Sequence, residues 1–174
     1  MSDLFKNIKI SIDDLSNIED EAFVTIEKQY KLFLLLRNAL LFVLVLIIVT
    51  LFYFFGETEL NTWSFFCIYS SILVIWLINY ALVNVGFPRK KYLLRQHDLI
   101  YKTGYLLQKT TAIPINRIQH IEIRQSILLR LFKLSKLIIY TAGGNSSDLS
   151  ISGLKPKDAE VLKAHISITI SKHE

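Results

Sequence analysis

His120 and Glu122 stand two residues apart in an alternating stretch, His120-Ile121-Glu122-Ile123-Arg124. In a strand that spacing turns both side chains to one face, as an acid–base pair or two metal ligands would require. No third ligand or nucleophile accompanies them, and His97, His165 and His173 are scattered without metal-ligand spacing. The single cysteine, Cys67, lies in an apolar run, where a lone thiol is most simply a small packing residue and no disulfide framework or cysteine-based metal site is available. Gly143-Gly144-Asn145 lacks the strand-to-helix context of a phosphate loop and reads as a hairpin turn. The chain therefore carries no catalytic constellation, no metal site and no cofactor motif.

The remaining chemistry is cationic. Arg117 has forked donors that could grip a phosphate or a partner's carboxylate. The competing and favoured reading is a tie to a carboxylate or backbone carbonyls that fixes the loop after Pro114. Arg89, Lys90 and Lys91 form a second group, candidates for contact with a partner or an anionic lipid but more simply explained as determinants of membrane topology. Basic residues elsewhere are spread over separate segments and do not form a stripe interleaved with aromatics, which disfavours nucleic-acid binding.

The elements that position these residues fall into three parts. Hydrophobic residues make up 52% of the chain, and almost all of the excess lies within residues 32–87. Ala39 to Phe55 is an uncharged run of 17 residues, extended before Arg37 by Leu32–Leu36, and Trp63 to Phe87 is an uncharged run of 25. About 20 apolar residues span a bilayer as a helix. The pattern predicts transmembrane helices over about 34–55 and 63–87, with Arg37 snorkelling to the interface. The polar remainder is too small to wrap both as core helices.

The seven-residue connection 56–62 holds two acids and no base, and Lys28, Lys31, Arg37, Arg89, Lys90, Lys91 and Arg95 flank the other ends. The positive-inside rule then places both termini in the cytoplasm and the loop outside. Tyr53, Phe54, Phe55 and Trp63 fall at the outer interface. Neither span carries Asp, Glu, Lys or His in its interior, so no proton or ion path is indicated. Ser70, Ser71, Asn79 and Asn84 are expected to bond between helices, within the hairpin or between copies.

Residues 1–31 carry seven acids against four bases, and no secretory signal is expected there. Ser16-Asn17-Ile18-Glu19 fits a capping box, and Ile18, Ala22, Ile26, Tyr30 and Phe33 recur at helical spacing. An amphipathic cytoplasmic helix leading into the first span is expected, with a short strand over Ile8, Ile10 and Ile12 as a further expectation. Residues 88–174 carry fifteen bases against six acids, a balance of +9. Here the period changes to two. Short strands are predicted at Tyr92–Arg95, Leu99–Tyr101, Tyr105–Leu107, Thr110–Ile115, around Ile121 and Ile123, and at Leu137–Tyr140 and Leu149–Ile151. A helical turn follows over Leu128–Phe132, and a C-terminal helix from Pro156 is expected to fray after Ile166. The expected class is α+β: a small antiparallel β-sandwich or barrel capped by the C-terminal helix.

Several segments agree, in order, with one known family. They are Leu99–Leu106, Ile113-Pro114, Asn116-Arg117-Ile118-Gln119-His120-Ile121, Gln125–Leu128 with Arg130-Leu131-Phe132, Thr141–Gly144, Ser152-Gly153-Leu154 and Asp158-Ala159. Residues 92–166 on this basis resemble the bacterial pleckstrin-homology-like, membrane-flanking domain family in its YdbS-like form. One departure is Lys133, where the family usually has Gly; a positive φ there would strain the backbone or reshape the turn. The resemblance implies a seven-stranded bent β-sandwich capped by a C-terminal helix. It assigns neither catalytic residues nor a general lipid ligand. It also implies small partners of larger membrane proteins bearing several such domains, with links to envelope stress and antimicrobial resistance.

The expected function is thus a non-enzymatic membrane protein whose cytoplasmic domain is an interaction or assembly subunit, docking a larger relative or another copy of itself. The alternatives are an anionic-lipid sensor and a small oligomeric pore or transporter subunit. No cofactor is expected.

Overall fold

A computed structural model describes residues 22–56, 61–142 and 149–171. Two long helices, α1 (Lys28–Phe55) and α2 (Thr62–Gly86), form the antiparallel hairpin that the two apolar runs predict. Only 11% and 6% of their apolar windows are buried in protein, which separates them from core helices of a soluble fold. Across the pair Phe42 packs on Trp76 and Tyr53 on Phe65. One interhelical hydrogen bond is Thr50–Tyr69 at 2.6 Å. The Thr50 hydroxyl already donates to the Leu46 carbonyl, so Tyr69 must be the donor. Within the hairpin, Ser71, Asn79 and Asn84 do not join the two helices. Each bonds to the carbonyl four residues back on its own helix, the nearest acceptor a short polar side chain finds in lipid.

After a 3-10 turn at Phe87–Arg89 the chain enters two antiparallel sheets. The first, in order β1-β2-β3-β4, comprises Val24–Thr25, Lys91–Leu94, Asp98–Thr103 and Lys109–Pro114. The second, β5-β6-β7, comprises Ile118–Arg124, Ser135–Thr141 and Leu149–Leu154. The sheets are open and not closed into a barrel. A 3-10 turn at Ile115–Arg117 carries the chain from one to the other, and Pro114 ends the edge strand β4, where its missing N–H is harmless. Inward residues of both sheets share one core: Tyr92, Leu99, Ile113, Ile121, Leu137 and Ile151 among them. Helix α4 (Pro156–Ser171) closes it over β5 and β6 with Ala159, Leu162 and Ile166. The short α3 (Ile127–Leu131) sits between β5 and β6, capped by the Ser126 hydroxyl.

Three sequence expectations are corrected. Residues 22–27 are not helical. Val24 and Thr25 pair with Tyr92 and Lys91, and the Glu27 amide donates to the Gly153 carbonyl. β-branched Val24-Thr25-Ile26 favours the extended chain that a waiting sheet edge stabilises. Tyr105–Leu107 belongs to the loop between β3 and β4 and is not a strand. Helix α4 continues to Ser171; Ile170 packs on the core four residues after Ile166 while Ile168 faces out, so helical spacing overrides the apparent alternation. The capping box at 16–19, the strand at Ile8–Ile12, the Gly143-Gly144-Asn145 turn, His173 and most of the hairpin loop lie outside the described residues.

Candidate anion-binding cleft at the membrane junction

Where α2 ends, a 3-10 turn at Phe87-Pro88-Arg89 leads to β2, which begins at Lys91. Hairpin register places Lys91 directly opposite Lys102, and Thr103 opposite Lys109. These residues line a cleft of about 210 Å³ with Pro88, Arg89, Gln108 and Thr110. Its chemistry is four cations, two threonine hydroxyls and one amide, with no acid among the described residues. Like charges directly opposite across a strand pair are destabilising, and among the described residues no carboxylate pairs with Arg89, Lys91, Lys102 or Lys109. An anion entering this cleft would find clustered positive charge and several donors.

Two neighbours are committed to holding the junction together. The Arg89 guanidinium donates to the Tyr105 carbonyl. The Lys90 ammonium lies 5.2 Å from the Tyr30 ring and 5.5 Å from that of Tyr105, bridging α1 to the β3–β4 loop. The Lys102 ammonium lies 4.3 Å over the Phe23 ring. Among the described residues Lys91 and Lys109 are therefore the cations of the cleft without such a tie.

Arg117 is not part of this cluster. It lies exposed in the turn after β4, beyond the opposite end of that strand from Lys109. Five residues of strand alone separate Lys109 from Pro114, about 17 Å. The backbone carbonyl of Arg117, not its side chain, makes the recorded tie, accepting from Ala142. Of the residues that the sequence singled out, the structure brings Arg89 and Lys91 into the cleft, sets Lys90 beside it as a pin, and leaves Arg117 apart. Lys102 and Lys109 escaped notice because they lie eleven and eighteen positions from Lys91. The readable signal was the β-hairpin about Gly104, whose register brings Lys102 back to Lys91.

The other chemical candidates are accounted for by local bonds. Glu122 accepts from Arg124 at 2.8 Å and from the Tyr140 hydroxyl at 3.2 Å, and His120 lies against the Tyr140 ring. The Arg124 hydrogen bond holds the Glu122 carboxyl below its usual range, the opposite of what a general acid needs. Asp98 is likewise lowered, by the two bonds from Arg95 at 2.7 and 2.5 Å.

Comparison with known proteins agrees with this architecture. Over 93 residues the chain is 29% identical to the transmembrane protein YdbT of Bacillus subtilis (strain 168), a stretch covering 53% of this chain and 18% of YdbT. The chain thus spans less than a fifth of the length of the curated relative it matches. No solved structure matches significantly. With two bilayer-length helices and a transmembrane relative, this is a membrane protein. The family profile described as bacterial PH domain matches residues 31–168, taking in the helical hairpin as well as the sheets, and the chain belongs to that family.

Proposed function

We propose that this is a non-enzymatic, multi-pass module of the bacterial cytoplasmic membrane, with both termini inside, that holds phosphoryl groups of anionic lipid in the cleft at its membrane junction. The observation that carries the reading is the Lys91–Lys102 pair: two lysines stand opposite each other in strand register at a cleft that also holds Arg89 and Lys109 and, among the described residues, no acid. Each cation at an anionic surface contributes about 1 kcal/mol, so four give a salt-sensitive preference for charged headgroups. The role in envelope stress implied by family resemblance would follow if occupancy reported the anionic-lipid content of the leaflet.

The test uses the full chain in lipid nanodiscs. With phosphatidylglycerol present, native mass spectrometry should find anionic lipid retained, and Lys91→Gln with Lys102→Gln should reduce that retention, more at low salt than at high. Retention unchanged by the double substitution sinks the proposal. Adding inorganic phosphate to discs of zwitterionic lipid separates the two sources: thermal stabilisation by phosphate there, with no lipid preference, would assign the cleft to a free anion.

A second reading, an assembly subunit docking a larger relative or another copy of itself, has one supporting observation. The stretch that resembles this chain in YdbT sits within a far longer protein. Gentle extraction followed by identification of co-purifying chains tests it; a chain that emerges alone counts against it. A pore has less support, because Ser71, Asn79 and Asn84 bond to their own helix.

A further inference from the structure

Helix α3 is short, and its outward face is apolar: Ile127 is 81% exposed and Leu131 73%, while Leu129 alone is buried in the core. It does not face open water at the far end of the domain. Leu128 and Phe132 form one wall of a cleft of about 500 Å³ whose other wall is α1, from Phe33 through Leu36 and Leu40 to Val43. After Arg37 and Asn38, the apolar run of α1 begins at Ala39. At 1.5 Å per residue, α3 thus reaches about 6 Å along the part of α1 that lies in hydrocarbon. The β3–β4 loop makes a matching approach at the other helix. Tyr105 lies against Gly86 near the end of α2, and beside it Leu106 and Leu107 are 81% and 87% exposed. The domain therefore presents an apolar tip beside each spanning helix.

Arg37 lines the same cleft, at the end nearer the domain. Its guanidinium lies 6.0 Å from the Phe33 ring, and among the described residues no carboxylate pairs with it. An apolar trough that continues the lipid-facing surface of a spanning helix, with one cation at its polar end, has the chemistry of a phospholipid. We propose that a phospholipid of the surrounding leaflet fills this cleft, its acyl chain along Leu36, Leu40 and Val43 and its phosphate at Arg37, with α3 sunk into the leaflet beside it. This site is separate from the cleft at Lys91 and stands whether or not that one is occupied.

Because Cys67 is the single cysteine, a Cys67→Ser chain accepts one fluorescent label at a chosen place. With the full chain in nanodiscs, a label at Ile127→Cys should be quenched strongly by lipids brominated on their acyl chains and weakly by aqueous iodide. A label at Lys163→Cys on the outer face of α4 should show the reverse. Native mass spectrometry should find fewer retained phospholipids after Leu128→Trp, which fills the trough, and after Arg37→Gln, which leaves its shape intact. Iodide quenching at position 127 equal to that at 163 overturns the proposal. So does lipid retention unchanged in both variants, or an efficient disulfide between copies at Leu40→Cys, which would give the trough to a neighbouring helix.

Discussion

Tyr30 lies against Gly153 so closely that a Cβ on the glycine would stand 2.5 Å from the Tyr30 ring and 2.5 Å from a methyl of Ile26. Gly153 also has φ +89°, a region that other residues enter only with strain. Both constraints act where β7 meets the residues leading into the first spanning helix. The Glu27 amide bonds the Gly153 carbonyl at 3.2 Å, and the Lys155 ammonium meets Glu27 at 3.0 Å. The last strand of the domain is thereby fastened to the segment that enters the membrane.

Gly153→Ala should therefore be among the most damaging single-methyl changes in the protein. Overpacking and positive-φ strain each cost on the order of 1–3 kcal/mol, so a loss of about 3 kcal/mol is expected. Apparent melting temperature in detergent micelles reads it, with the neighbouring Ser152→Ala as control. Similar melting of the two variants would mean that Tyr30 and Ile26 move aside freely.

Lys133 should show the opposite sign. It occupies φ 53° directly after α3, with its amide on the Arg130 carbonyl and the Leu134 amide on that of Leu129. This pair of bonds is a Schellman ending, whose left-handed position glycine normally fills. Here lysine takes the left-handed position that a glycine would fill without strain. Lys133→Gly should stabilise the protein by about 0.5–1 kcal/mol, the left-handed cost less the extra unfolded-state entropy of glycine. A lower melting temperature would show that the lysine side chain makes a compensating contact.

What the sequence disclosed, and what it hid, follows from the range of the interactions. The spans were legible because composition over twenty residues decides them. The β strands were legible where alternation was clean, as at Ile121 and Ile123. The strand at Val24–Thr25 was missed because its two residues are specified by a partner strand some 67 positions away, beyond the whole hairpin. Ile26, Tyr30 and Phe33 were recognised as one apolar face, and they do face the core; only the backbone carrying Ile26 was misread. In the cationic cleft, Arg89-Lys90-Lys91 stood out as a run, whereas Lys102 and Lys109 join it only through hairpin register. Arg117 stood out through a motif, and a motif does not say which end of a strand faces the membrane.

The pair Arg95–Asp98 gives a pH dependence with a definite sign. Its hydrogen bonds lower the folded Asp98 carboxyl below the ordinary carboxylate range. The stabilisation is then fully present above the unfolded value, near pH 4, and is lost as pH falls through the lowered folded value. Asp98→Asn should cost about 1 kcal/mol near pH 7, allowing for solvent screening of a partly exposed pair. Melting curves of the two proteins should converge below pH 4. A gap that stays constant with pH would assign the loss to packing.

The membrane hairpin and the sheets should prove inseparable. Ile26, Tyr30, Phe33, Leu34 and Val83 belong to the same buried cluster as Tyr92, Leu137 and Ile151, so a fragment beginning at residue 88 lacks these core side chains and the edge strand β1. Burial of each large apolar side chain is worth about 1.5–3 kcal/mol, and the sum rivals the whole stability of a small domain. Residues 88–174 alone should show strand-like far-ultraviolet circular dichroism without a cooperative thermal transition. Joining residues 22–37 to residue 83 by a flexible glycine-serine linker, in place of the spans, should restore that transition, because α1 and α2 enter the domain side by side and Val83 is then present. If the fragment from 88 already melts cooperatively, and the added residues do not raise its midpoint, then the contacts of Tyr30 and Phe33 serve the membrane anchor and not the stability of the sheets.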